Sequence, residues 1–193
     1  MTDGDDDILI VSARGQAARF DEALVRPMGR QTRGVKAMNL SAGDRVLALC
    51  VARDDEDLLV VTGNGFGKRT PMADYPRKGR PTKGVRTIKV TDRKGELVTA
   101  RPVREKNQLL LVSLGGQVIR IDVASVRRTG RSTEGVRLMV MGDDDQVASV
   151  ASVLEHDEVH DEGVEFEGDD VQDVLPDLDA DAAAIDAVEP DAE

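Results

Sequence analysis

Residues 79–86 read GRPTKGVR, and the same grammar returns as GRQTRGVK at 29–36 and GRSTEGVR at 130–137. Upstream of each copy lies an apolar run broken by a tight turn: ILIVSARGQAARF at 8–20, LLVVTGNGFGKRT at 58–70 and LLLVSLGGQVIRI at 109–121. The copies are offset by 50 and then 51 residues. Gly29, Gly79 and Gly130 correspond, as do Thr32, Thr82 and Thr133, and Gly34, Gly84 and Gly135. A fixed period of this length marks a repeat architecture, in which each unit is one supersecondary element that cannot bury its apolar faces alone.

Within each repeat a β-branched apolar run such as LLVV at 58–61 is followed by Arg14-Gly15, Asn64-Gly65 or Gly115-Gly116. Such dipeptides between apolar runs signal a β-hairpin. The glycine-arginine loop comes next, then a third strand at VRTIKV, 85–90, a polar turn at Asp92–Gly95 and a fourth strand at LVTARPV, 97–103. No repeat carries a sustained 3.6-residue apolar period, so helices are expected to be few. The expected fold is all-β, with three four-stranded, propeller-like blades at 8–53, 58–104 and 109–153 sharing one stacked core. Residues 1–7 form an acidic leader, and the acidic stretches Asp54–Asp57 and Glu105–Asn107 separate the blades.

The net charge of −11 hides a division. Residues 8–153 hold 26 Lys and Arg against 16 Asp and Glu, whereas residues 154–193 hold 17 Asp and Glu and no Lys or Arg. A basic body joined to an acidic tail suggests a polyanionic partner. The tail is too poor in large apolar residues to offset chain entropy and is expected to be disordered. The one cysteine, Cys50 in VLALCV, reads as a core thiol and excludes a disulfide framework, in keeping with a reducing cytoplasm. No apolar run reaches the ~18 residues of a membrane span, and the acidic start MTDGDDD does not resemble a signal peptide.

Cations recur in register. Arg19, Arg69 and Arg120 end the second strand, Arg30, Arg80 and Arg131 sit in the loop, and Lys36, Arg86 and Arg137 open the third strand. Arg33 and Lys83 add to the loops, Lys68, Arg77 and Lys78 to the second repeat, and Arg127 and Arg128 to the third. Solvated surface charge would scatter and mix signs; here only Glu134 breaks the pattern. Stacked blades should align the loops into a curved cationic rim that holds a polyanion, with glycine and threonine helping the backbone approach phosphates. The repeats hold only Phe20, Phe66 and Tyr75 as aromatics, too few to stack single-stranded bases. No recognition helix is foreseen. Duplex DNA gripped through its phosphates fits best, largely without sequence preference. The competing reading is a partial propeller that docks an acidic protein.

Catalytic patterns fail. GNGFGKR at 63–69 lacks the spacing and terminal hydroxyl of a phosphate-binding loop and reads as a hairpin. His156 and His160 in EHDEVH match neither zinc-protease pattern. No active site and no metal site is expected.

These loops, together with the run GFGKRTPMADYPRKGRPTKGVRTIKVTDRKGEL at 65–97, resemble the C-terminal domain of the DNA gyrase A protein over roughly residues 7–155. The acidic tail is similar too, and the A protein of topoisomerase IV is a more distant likeness. The resemblance implies a β-pinwheel, a disc of blades that exchange strands with their neighbours. It implies wrapping of duplex DNA around the basic rim, in support of ATP-dependent negative supercoiling by a type II topoisomerase. Partners would be the remainder of the gyrase A protein and the gyrase B protein, in a cytoplasmic, nucleoid-associated complex. No cofactor is implied for these blades, because ATP and Mg²⁺ belong to the rest of the complex. Carried over by position, the DNA-binding residues would be Arg30, Arg33, Lys36, Lys68, Arg69, Arg77, Lys78, Arg80, Lys83, Arg86, Arg128, Arg131 and Arg137. The family disc usually has six blades, and these three look like the last three. The catalytic tyrosine domain is missing, and Tyr75 is expected to be structural. The first-blade gyrase box, Gln-Arg-Arg-Gly-Gly-Lys-Gly, survives only as Gln31, Arg33, Gly34 and Lys36.

Overall fold

The computed structural model describes residue 2 and residues 4–153. The acidic tail and both histidines therefore lie outside the described residues. Eleven strands form three antiparallel sheets among the described residues. In the first repeat these are β1 (Asp7–Ser12), β2 (Gln16–Asp21) and β3 (Val46–Val51); in the second, β4 (Asp57–Thr62), β5 (Phe66–Pro71), β6 (Val85–Arg86) and β7 (Leu97–Val103). The third repeat supplies β8 (Gln108–Ser113), β9 (Val118–Asp122), β10 (Val136–Arg137) and β11 (Val147–Val153). Three single-turn 3₁₀ segments follow β2, β5 and β9, and the described residues contain no α-helix.

The strand order departs from a simple succession of blades. The first sheet runs β3-β1-β2-β6, the second β10-β5-β4-β7 and the third β11-β8-β9. Each short third strand leaves its own repeat and pairs with the hairpin of the preceding one, Val85 opposite Ala17 and Val136 opposite Gly67. Strand exchange is thus present at both junctions. The expectation of three four-stranded blades is corrected: the third has three strands, because among the described residues no further repeat supplies a fourth. The paired third strand is also far shorter than VRTIKV. After Arg86 the chain turns inward, and Thr87 and Ile88 are buried.

Hairpin geometry follows the sequence. Gly15, Gly65 and Gly116 take φ of 78°, 78° and 84°, the left-handed region that the turns require. GNGFGKR is accordingly the β4–β5 hairpin. Apolar side chains on both faces of the inner strands build the core. Leu9 and Val11 of β1 meet Leu58 and Val60 of β4, with Met72, Tyr75 and Ile88 between the blades. At the next junction Leu59 and Val61 meet Leu109 and Leu111, with Val123, Val126 and Met139. This two-sided burial explains why the strand sequences are continuous apolar runs instead of alternating ones. Cys50 packs half-buried against the first cluster, and burial pushes its thiol up to about 11, so it is protonated at neutral pH. Tyr75 is buried with its hydroxyl 2.5 Å from Thr87 Oγ1, the structural role expected of it.

Candidate nucleic-acid interface

The recurring cations fall into two groups that the sequence did not separate. Lys68 and Arg69 are buried, which corrects their placement on an exposed rim. The Lys68 ammonium donates to the carbonyls of Gly130 and Arg131 and to Thr133 Oγ1, at 2.7, 2.8 and 3.1 Å. It holds the loop of the third repeat against the second blade. Burial, reinforced by Arg131, pushes its pKa down to about 8.

Arg69 is a clamp between blades. Its guanidinium reaches Asp57 across the β4–β5 pair, and Glu105 and the Val126 carbonyl beyond it, at 3.3, 2.8 and 2.9 Å. Arg19 does the same one repeat earlier, with Asp7, Asp54 and the Met72 carbonyl at 2.6, 2.7 and 3.1 Å. The acidic stretches between blades therefore supply clamp partners and are more than spacers. A residue from the next repeat completes each clamp: Arg77 donates to Asp7 at 2.5 Å and Arg128 to Asp57 at 3.0 Å. Both remain largely exposed at their outer sides, and the Asp7 carboxylate raises the Arg77 pKa further.

The second group faces outward. Arg30, Arg33, Lys36, Lys78, Lys83, Arg86 and Arg137 are exposed, and Arg80 and Arg131 partly so. Successive loops touch. Arg80 donates to the carbonyls of Leu24 and Lys36 in the first repeat, and Asn39 N–H donates to the Thr82 carbonyl at 2.8 Å. Arg86 and Arg131 line one open cleft with Gln16, Gly84 and Asp74. Outward cations of successive repeats thus sit on loops that touch one another.

The loop glycines and threonines serve the fold. Gly84 and Gly135 have φ of 78° and 76°, and a Cβ there would sit 2.4 Å from the Ala17 carbonyl oxygen and 2.7 Å from that of Gly67. Close approach to the neighbouring hairpin, not to a ligand, dictates glycine. Thr32 and Thr133 hydroxyls donate to the carbonyls of Gly29 and Gly130, and Thr82 Oγ1 accepts from Gly84 N–H. The exception Glu134 is paired with Lys94 and Lys89 at 2.8 and 3.1 Å, and these ammonium groups push its carboxyl down to about 2.

Sequence reasoning missed Arg93. A turn in the second repeat carries it to 5.7 Å from the Phe66 ring centroid, beside Lys94 at 5.0 Å and Arg137 from the third repeat at 5.5 Å. Three cations thus share one ring, a contact that partly offsets their mutual repulsion. Nothing periodic in the sequence signals it. Among the described residues no group of three potential metal ligands occurs, and no helix is long and apolar enough to cross a membrane.

Strand-exchanging blades with a basic loop edge define the class: a β-pinwheel of the propeller-like repeat type. Residues 6–49, 56–104 and 107–153 match the family described as DNA gyrase C-terminal domain, beta-propeller, and the chain belongs to that family. It is 49% identical over 150 residues to the DNA gyrase A protein of Mycobacterium leprae, covering 76% of this chain and 12% of that protein. Against the DNA gyrase A protein of Escherichia coli K12 it is 40% identical over 185 residues, 94% of this chain and 21% of that protein. A solved DNA gyrase A C-terminal domain superposes with a TM-score of 0.73 at 28% identity, covering 79% of this chain and 52% of that one. The C-terminal domain of DNA topoisomerase IV also gives 0.73, at 25% identity, over 79% and 48%. The chain thus spans about a fifth or less of the length of these gyrase A proteins.

Proposed function

We propose that this chain is a non-catalytic module that binds and wraps duplex DNA on its outward loop cations, in support of ATP-dependent negative supercoiling by gyrase. The observation that supports the reading is the contact between successive loops, whose outward cations are Arg30, Arg33, Lys36, Lys78, Lys83, Arg86, Arg131 and Arg137. A continuous cationic track suits a polymer of phosphates and confers little sequence preference. Arg77, Arg80 and Arg128 contribute at the margins, each with part of its guanidinium committed to a neighbouring repeat. Lys68 and Arg69 take no part in contact with DNA and act through the fold alone. The partners on this reading are duplex DNA, the remainder of the gyrase A protein and the gyrase B protein, in the cytoplasmic nucleoid. ATP and Mg²⁺ act elsewhere in that complex.

A filter-binding salt titration tests this. Replacing Lys78, Lys83 and Arg86 together by Ala should weaken binding to every duplex sequence and flatten the log–log salt slope by about 3. These side chains have no structural partner of the kind that holds Arg80, so the fold should persist. Unchanged affinity in a folded triple variant, or no duplex affinity at low salt in the parent chain, would overturn the reading.

A further inference from the structure

The turn that leads into the last strand is where the second repeat departs from the other two. In the first and third repeats an aspartate closes it: Asp44 accepts from the hairpin N–H of Arg14 at 3.1 Å, and Asp145 from that of Gly115 at 2.8 Å. The pairing of Ser12 with Val46, Thr62 with Leu97 and Ser113 with Val147 puts Gly95 at the aspartate position. The chain from Ile88 to Leu97 is also one residue longer than from Met38 to Val46 or from Met139 to Val147. Before Gly95 stand Arg93 and Lys94, where the other repeats have Ala42-Gly43 and Asp143-Asp144. Asn64 takes over the holding role, its Nδ2 donating to the Arg93 carbonyl at 2.8 Å and its N–H to the Lys94 carbonyl at 3.2 Å. Two cations thus enter without loss of the turn.

Their surroundings differ. Lys94 is buried, and its ammonium donates to the Glu134 carboxylate and carbonyl at 2.8 and 3.0 Å. Lys89 takes the other Glu134 carboxylate oxygen at 3.1 Å, so that acid is fully engaged. Arg93 is exposed, and so is Arg137, which lies opposite Phe66 in the β5–β10 pair. Their guanidinium groups lie 5.7 and 5.5 Å from the centre of the Phe66 ring, and neither makes a hydrogen bond or ion pair among the described residues. Asp143 and Asp144 border the same open cleft but form no ion pair with either arginine, and Asp145 is committed to the N–H groups of Gly115 and Gln146.

Contact with a ring uses the face of a guanidinium and leaves its N–H edge free to donate. It also fixes a long side chain, so less rotamer freedom is lost when a ligand arrives. Two such groups on one ring repel each other, and an anion between them replaces that repulsion with two attractions.

We infer that Arg93 and Arg137 together seat one backbone phosphate of the bound duplex, on the Phe66 ring that holds both guanidinium groups. The inference rests on the DNA-binding reading above. It adds a contact outside the glycine-arginine loops, made by a position that holds no cation in either other repeat.

Fluorescence anisotropy of a labelled duplex, titrated with the full chain across a salt series, tests the inference. Arg93→Gln should weaken binding to every sequence and flatten the log–log salt slope by about 1, so the parent's advantage should shrink roughly 3.5-fold over a fourfold rise in salt. Arg93→Lys and Phe66→Leu should keep the slope but lose affinity, because the charge stays while its alignment goes. Arg53→Gln removes an exposed arginine that makes no ion pair and lies outside the loops and this turn; its slope and affinity should match the parent's. Melting curves check that each variant is folded, and the two Arg93 variants decide the matter even where Phe66→Leu is not. An Arg93→Gln slope equal to the parent's, or the same loss in Arg53→Gln, would overturn the inference and leave the DNA-binding reading standing. Absence of duplex affinity in the parent chain at low salt would overturn that reading, and this inference with it.

Discussion

The second and third blades carry the same hairpin but treat it differently. Arg69 in β5 is buried among Asp57, Glu105 and the Val126 carbonyl, while Arg120 in β9 is exposed and donates to Gln108 at 2.6 Å. Lys68 is buried under the next repeat's loop, whereas Ile119 at the corresponding position is half-exposed. One register therefore serves as a clamp where a following repeat packs on it and as open surface where, among the described residues, none does. A recurring cation in a repeat protein is first a candidate for the interface between repeats.

The sharpest way to break this comparison is to remove both arginines. Arg69→Ala leaves Asp57 to Arg128 alone and strips Glu105 and the Val126 carbonyl of their buried donor, which should cost about 1.5–3 kcal/mol, whereas Arg120→Ala should stay within ~0.5 kcal/mol. Urea unfolding followed by circular dichroism measures both. Equal losses would show that the burial around Arg69 contributes nothing and that the two blades are equivalent after all.

A second pair isolates the close approach of backbones. Gly34→Ala and Gly135→Ala each force alanine into a left-handed conformation, at roughly 1–2 kcal/mol. Gly135→Ala must also move the new methyl away from the Gly67 carbonyl oxygen, 2.7 Å distant, which should add about 1–3 kcal/mol of overpacking. If Gly34→Ala proved as costly as Gly135→Ala, strand exchange would not be what sets the glycine at 135.

The smallest effect concerns Glu134, which occupies the position of Arg33 and Lys83 in the other loops. Lys94 and Lys89 hold its folded pKa down to about 2, below the ordinary 4.5. A depressed carboxylate stabilises the fold above the unfolded value, and that contribution fades as pH falls from 4.5 through 2. Glu134→Gln should therefore lower stability at neutral pH slightly and flatten the stability profile across that window. Superimposable acid profiles for parent and variant would reduce the Lys94–Glu134 contact to a surface pair of no consequence.

Much of this was legible in the linear pattern. The hairpins at Arg14-Gly15, Asn64-Gly65 and Gly115-Gly116 emerged where the turn chemistry placed them, because a left-handed turn residue is a local demand met by local sequence. LVTARPV became β7, and the loop glycines stood out through their period. The division of cations was not legible. Arg69 and Arg86 look alike in sequence, and only the acids at 57 and 105, one in the neighbouring strand and one in the linker to the next blade, make the first a clamp. Val85-Arg86 gives no local indication that its pairing partner lies near residue 16 and not within its own repeat. Arg93 reached Phe66 and Arg137 only through the stacking of blades.

By itself, then, the sequence determined the all-β class, the three-fold repeat, the hairpin turns and the separation of a basic body from an acidic tail. Each of these depends on neighbours along the chain, on composition or on periodicity, and all three survive in one dimension. Tertiary structure alone decided which cations face outward and which repeat completes which sheet. Those outcomes depend on burial and on partners some 50 or more residues away, such as Asp57 and Arg128, and a one-dimensional pattern carries no record of which residues will exclude water from one another.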